Sequence, residues 1–327
     1  MKKNYFLLIG LILIVLVILW LNPIEIIKDL QEANVYYILL ACLIHLFIIC
    51  LRALRWGFII NQTYKIKNNF IVKTISLFAG NFTPMKAGGE VLSGMAGAEI
   101  NKISLSKGLS AAITERFFDL VVTSCLLLVS TFFTPQPFTL IPLIGGILNT
   151  IVVLFIFLLN WREETGLWFL DKIQKLLLKL RFNSKKVDSI NENFQNGLKN
   201  MVSHSISFIN FKNFIILLVV SLISWLFECF RLYILFKAFN FELSFVVIIV
   251  LYLLSNMIGV ISLIPGGIGS IELSQIALFS LFNVPKTLAG TIALTDRFIT
   301  FGIVNILGII FSAMYAKDIL KEVKKMF

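Results

Sequence analysis

The sequence predicts an all-α polytopic membrane protein, on three observations. Of its 327 residues 58% are hydrophobic and only 14% are charged, and mean hydropathy is +0.91. Apolar runs of spanning length recur along the whole chain. The basic residues between them fall in a sided pattern, as they do in the loops of membrane proteins. Together these exclude an ordinary soluble domain.

The first run, residues 5–21, follows Lys2 and Lys3 and resembles a secretory signal. It is long enough to span, and no small-residue cleavage site follows, so a retained helix is expected. Further runs lie at roughly 35–60, 108–134, 139–160, 213–239, 244–264 and 287–314. Two shorter segments, about 74–84 and 270–283, cannot cross a hydrocarbon layer about 30 Å thick at about 1.5 Å per residue. Each adjoins a Pro/Gly-rich stretch, "FTPMKAGGE" or "LIPGGIGSIE". Such interrupted segments suit re-entrant hairpins, which survive at membrane depth only when protein shields them. About six full spans plus two re-entrant hairpins are therefore expected, in a single membrane domain over residues 1–327, with segment 244–264 as the long arm of the second hairpin. If 244–264 instead spans fully, the C-terminal tail changes side.

Charge gives the orientation. The net charge of +11 fits lysine and arginine held beside anionic headgroups at the inner face of the cytoplasmic membrane. Lys2 and Lys3, then Arg52, Arg55, Lys65, Lys67 and Lys73, and the tail "KDILKEVKKMF" all read as cytoplasmic, so both termini are expected inside. The loop with Glu25, Asp29 and Glu32 reads as outside. Residues 161–212 carry nine Lys/Arg against five acidic residues and form a cytoplasmic linker. Within it Leu167–Phe182 places Lys172, Lys175 and Lys179 on one face, as in an amphipathic helix on the inner leaflet or one docked on the bundle.

Sliding the sequence by about 181 residues brings its unusual positions into register. Arg52 aligns with Arg231, Pro84 with Pro265 and Glu90 with Glu272. "AAITERFFD" aligns with "IALTDRFIT", pairing Glu115 with Asp296 and Arg116 with Arg297. The expectation is a duplication, repeat one at about 35–134 and repeat two at about 213–315. The charge assignment runs the two copies in opposite directions, which makes an inverted repeat with broken helices tip to tip near the midplane. Pro84 and Pro265 end the descending arms. Gly88, Gly89, Gly266, Gly267 and Gly269 are expected to permit the tight turns and close approach. Glu90 and Glu272 fall in or near the first turn of each returning helix, where a carboxylate suits the helix dipole.

Charges at membrane depth are costly and are usually paired or functional. Glu228 can pair with Arg231 one turn on, and Asp119 with Arg116. Two readings of this set are open: ion pairs that only hold the hairpins to the helices, or a site where arginines contact an anionic group. Guanidinium suits phosphate through bidentate hydrogen bonds. On the second reading Arg52, Arg55, Arg116, Arg231 and Arg297 contact a headgroup, and Glu90, Glu115, Glu228, Glu272 and Asp296 are their partners or proton-coupled switches.

Other chemistry finds no support. No metalloprotease, nucleophile-elbow or phosphate-loop motif is present, and "PGGIGS" follows a membrane run rather than a strand. Cys42, Cys50, Cys125 and Cys229 fall singly in apolar runs, so neither a metal nor a disulfide is expected. His45 and His204 lack ligand-like company, and His45 reads as a helix-interface residue. Neither cofactor nor nucleic-acid partner is implied.

"LRALRW", "TPMKAGGE" followed by "AAITERFFDL", and "IPGGIGSIE" followed by "LTDRFITF" resemble the membrane domain of lysylphosphatidylglycerol synthases and its stand-alone relatives, over about residues 35–315. That resemblance implies a flippase-like membrane half without the soluble domain that makes the lipid, and so no enzymatic activity. The expected function is transport of an anionic, phosphate-containing lipid between leaflets. Membrane lipids are the expected partners, with a homodimer and a separate lipid-modifying enzyme as candidates. Three other readings are open: a subunit that presents lipid to an enzyme, a membrane enzyme using the carboxylates, and a small-solute or ion transporter.

Overall fold

A computed structural model describes residues 15–83, 87–179, 210–262 and 264–325, with isolated positions between 195 and 206. The protein is all-α, with no strand among the described residues. After the helical residues 15–20 come α1 (Pro23–Glu32), α2 (Val35–Ile59), α3 (Ile66–Asn81) and α4 (Ala87–Ala96). A π-helical turn over Gly97–Asn101 leads to α5 (Leu105–Ser130), α6 (Leu140–Trp161) and α7 (Glu163–Lys179). The chain then forms α8 (Phe211–Ala238), α9 (Phe245–Ile261), α10 (Ser270–Leu281) and α11 (Lys286–Lys325).

By length and composition, five helical segments among the described residues can cross a membrane: Val35–Ile59, Leu105–Phe133, Leu140–Leu158, Phe211–Ala238 and Lys286–Tyr315. They correspond to five of the six expected spans. Most of the sixth, at 5–21, lies outside the described residues, as do Pro84 and much of the later part of the linker 161–212. Phe245–Ile261 is apolar but shorter, consistent with one arm of a hairpin. The first short arm is longer than the apolar run suggested, because α3 begins at Ile66 and carries Lys67 and Lys73. α7 bears exposed Lys172 and Lys175, with the Lys172 ammonium 4.2 Å from the centre of the Trp168 ring.

The order long helix, shorter helix, bend, short helix, long helix occurs twice, in α2–α5 and in α8–α11. The two groups interlock: α8 packs along α2, α11 against α3, and α8 against α5. Asparagines cap several helices by accepting a backbone N–H: Asn34 for α2 and Asn210 for α8. Two apolar clusters form the core. One gathers α8–α11 with parts of α1 and α2 around Phe236 and Phe279, and the other gathers the end of α2 with α3–α5 around Trp56 and Phe118. Many large apolar side chains remain on the outside, such as Leu43, Phe132, Phe155 and Ile309, as a lipid-facing surface requires.

The bends settle what the glycines do. Between α9 and α10, Gly266, Gly267 and Gly269 have φ of 62°, 67° and 84°, the left-handed region that disfavours any side chain. The expectation for Gly88 and Gly89 is corrected: both lie inside α4 and not in a turn. Their smallness serves contact instead, since a Cβ on Gly89 would sit 2.8 Å from the Ser76 carbonyl oxygen. The two bends meet directly. The Gly266 N–H donates to the Thr83 carbonyl at 3.4 Å, and a Cβ on Gly266 would lie 2.5 Å from the Asn81 carbonyl oxygen.

Gly266→Ala is therefore expected to lower stability by about 1–2 kcal/mol from the left-handed backbone alone, with a further loss from the Asn81 contact. Gly302→Ala, where a Cβ meets nothing within 4 Å, should leave stability unchanged or slightly raised. Thermal unfolding of both variants in detergent micelles checks the contrast.

Candidate functional site

Where the two helix groups face each other, a cavity of about 180 Å³ is lined by residues of α2, α3, α4, α5, α8, α9, α10 and α11. A water needs roughly 10–15 Å³ on this measure, so there is room for a polar headgroup. The lining is strongly charged: Arg52, Arg55, Lys73, Glu90, Glu115, Arg116, Asp119, Glu228, Asp296 and Arg297 all reach it. Arg231 and Glu272, both fully buried, do not line it and lie behind the wall.

Two networks anchor the cavity. On the α2–α5 side, Arg55 grips Asp119 bidentately, Nη1 to Oδ1 at 2.6 Å and Nη2 to Oδ2 at 3.0 Å. Its Nε donates to Glu115 at 3.3 Å and Nη1 to the Ser221 hydroxyl at 2.7 Å. Lys73 donates to the other Glu115 oxygen at 2.6 Å and to Ser93 at 3.2 Å, and the Trp225 indole donates to Asp119 at 3.0 Å. On the α8–α11 side, Arg231 donates through Nε to Asp296 at 2.9 Å and through Nη1 to Glu228. Its Nη2 donates to the Tyr252 hydroxyl at 3.2 Å, which donates on to Glu228 at 2.8 Å. Arg52 reaches across from α2 to the second Glu228 oxygen at 2.9 Å.

His45 lies within this second network, its Nδ1 3.3 Å from Arg231 Nη1. A guanidinium can only donate, so Nδ1 is the acceptor and the neutral ring carries its proton on Nε2. His45 is a buried helix-interface residue, as expected, and one that also borders the cavity.

Each short returning helix is tied to an arginine on the following long helix, but unequally. Arg297 Nε lies 2.9 Å from Glu272 Oε1, without the alignment of a hydrogen bond. Its Nη2 donates to the Gly266 carbonyl, and its guanidinium sits over the Phe301 ring at 5.0 Å. Glu272 also accepts the Gly269 N–H at 2.7 Å, closing the start of α10. In the first group Arg116 Nε is 3.9 Å from Glu90 Oε1, with side chains 30% and 29% exposed. Glu90 Oε2 is buried with no hydrogen-bond partner.

The structure thus brings together the sequence-identified Arg52, Arg55, Glu90, Glu115, Arg116, Glu228, Arg231, Glu272, Asp296 and Arg297 around one region. Two pairings differ from expectation. Asp119 binds Arg55 on another helix and not Arg116 on its own, because Arg55 offers it a two-pronged contact. Glu115 and Asp296 align at the common offset, yet their holders are Arg55 and Arg231, so in its contacts Arg231 resembles Arg55 more than Arg52. Sequence reasoning missed Lys73 as a buried partner, and the signal was there: a lysine inside "FIVKTI". Tyr252 and Trp225 left no signal, since aromatics abound in apolar runs. Among the described residues no His/Cys/Asp/Glu group is arranged to hold a metal.

Breaking a buried ion pair from one side typically costs 3–5 kcal/mol. Arg231→Met, which strands Asp296 and Glu228, is expected to destabilise by about that much. Arg116→Met, at a partly exposed and looser contact, should cost a small fraction of it. Denaturation in mixed micelles compares the two.

The comparisons with known proteins point to a membrane-protein family. The chain is 44% identical over 324 residues to a UPF0104 membrane protein of Methanothermobacter thermautotrophicus, covering 99% of this chain and 97% of that one. UPF0104 membrane proteins of Methanocaldococcus jannaschii and Pyrococcus horikoshii are each 25% identical, over 98% and 94% of this chain and 97% and 96% of theirs. A family model described as the lysylphosphatidylglycerol synthase TM region matches residues 7–308. This multi-pass membrane protein belongs to the lysylphosphatidylglycerol synthase TM region family.

Proposed function

We propose that the protein is a lipid flippase or lipid transporter of the cytoplasmic membrane, moving an anionic, phosphate-containing lipid between leaflets, without catalysing a reaction. The observation that carries the reading is the charged cavity walled by both helix groups, in which Arg116 alone of the lining arginines has no contact to a carboxylate closer than 3.9 Å. A phosphate presents oxygens that a guanidinium can take two at a time. Arg52, Arg116 and Arg297 reach the cavity directly, whereas Arg231 acts from behind by fixing Glu228 and Asp296. The other carboxylates are engaged by cations, which fits neutralisation of an empty binding site better than acid–base catalysis.

On this reading α2–α5 and α8–α11 are the two copies of an inverted repeat, with hairpin tips apposed at the cavity and both termini cytoplasmic. Rearrangement of one group against the other would then expose the cavity to alternate leaflets. A second reading has one specific support, that the family model is described as a region of a lipid synthase. Under it the chain presents lipid to a separate enzyme and moves nothing itself.

Proteoliposomes with a headgroup-labelled phosphatidylglycerol and a membrane-impermeant quencher test the proposal. The unmodified protein should let quenching reach inner-leaflet lipid. Arg116→Ala should slow this about tenfold or more, the value of one charge-assisted contact, while keeping its fold. Absence of translocation by the unmodified protein would favour the lipid-presenting subunit.

A further inference from the structure

The charges around the cavity balance. Arg52, Arg55, Lys73, Arg116, Arg231 and Arg297 are matched one for one by Glu90, Glu115, Asp119, Glu228, Glu272 and Asp296. This holds among the described residues, with Lys86 outside them. An anionic headgroup therefore brings uncompensated negative charge into a largely buried space, where unpaired charge is strongly disfavoured. Neutrality returns if one carboxylate takes a proton as the anion binds.

The contacts single out which carboxylate. Glu115 is held by Arg55 and Lys73, and Asp119 by Arg55 and Trp225. Glu228 is held by Arg52, Arg231 and Tyr252, Asp296 by Arg231, and Glu272 by Arg297 and the Gly269 N–H. Each of these carboxylates thus has a cation or a hydrogen-bond donor within 3.3 Å. Glu90 has only Arg116 at 3.9 Å, and its Oε2 is buried without a partner. His45 is a poor acceptor, because its free ring nitrogen faces the Arg231 guanidinium.

Among the described residues, the charged groups that the elements packed against α4 turn toward the cavity are otherwise engaged. On α3, Lys73 is bound to Glu115 and Ser93. On α5, Glu115 is doubly held and Arg116 is the partner in question. On α11, Asp296 belongs to Arg231 and Arg297 to Glu272 and Gly266. On the π-helical turn, Glu99 pairs with Lys102 at the surface.

We infer that Glu90 is a proton-binding site coupled to the headgroup site: an anionic headgroup takes Arg116 away from Glu90, and the released carboxylate binds a proton from water. The anion's identity as a phospholipid headgroup rests on the function proposed above. One proton per headgroup makes loading electroneutral and ties transport to a proton gradient.

The test titrates the full-length protein in detergent micelles with short-chain phosphatidylglycerol, in weak buffer, following proton uptake and affinity together. About one proton should be taken up per lipid bound, and affinity should tighten about tenfold for each unit fall in pH through the coupled range. Glu90→Gln, which carries the neutral state permanently, should bind the lipid with no uptake and an affinity flat with pH. Should that variant misfold, Glu90→Ala takes its place, with the same loss of uptake expected. Lipid binding without proton uptake, or undiminished uptake in Glu90→Gln, overturns the inference and leaves the lipid reading intact. Proton-linked binding without translocation in vesicles removes the flippase reading and supports the inference. No binding of phosphatidylglycerol removes both.

Discussion

A guanidinium held away from water must be surrounded by acceptors, and Arg231 meets that demand by recruiting four helices. Glu228 comes from its own helix α8, Tyr252 from α9, Asp296 from α11 and His45 from α2. Arg55 does the same with Glu115 and Asp119 of α5 and Ser221 of α8. In a bilayer, apolar contact alone discriminates weakly between helix arrangements, because lipid tails compete with leucine on equal terms. Ion pairs with fixed geometry supply the register that leucine and isoleucine do not. The cost is that every charge in the set depends on its neighbours, so a single truncation leaves another group stranded.

That dependence divides the cavity into a fixed part and an adjustable part. The second bend is fastened three ways, through Gly266, Gly269 and Glu272. The first short helix is fastened to its arginine at a distance where no hydrogen bond forms. The two helix groups thus present different arginine–carboxylate contacts to the same space. On the proposed function, the looser contact is where a headgroup inserts with the least loss of existing bonds.

Much of this was legible from residue types alone. An arginine or glutamate inside a run of leucine and isoleucine stands out, so Arg116, Arg297, Glu228 and Arg231 were readable as a group before any geometry. The bend at Pro265–Gly269 was equally plain, because left-handed backbone and a helix stop leave a compositional trace. What stayed hidden depended on three-dimensional choice between equivalent partners. Asp119 is spaced to meet Arg116, and only the approach of α2 gives it to Arg55. Gly88 and Gly89 look like turn residues, and only the packing of α4 on α3 reveals that their lack of a side chain serves contact. Lys73 reads in the sequence as one more of the loop lysines it follows, Lys65 and Lys67.

The meeting of the two bends is made of main chain: the amide of Gly266 and the carbonyls of Thr83 and Asn81. Such a junction is written unevenly into heredity. The contact asks nothing of the side chains at 81 and 83, which are free to drift as far as their other bonds allow. At 266 it admits no side chain at all. Between this chain and relatives that share only a quarter of its residues across nearly its whole length, one position would carry the memory of the joint while its partners across the gap forget it.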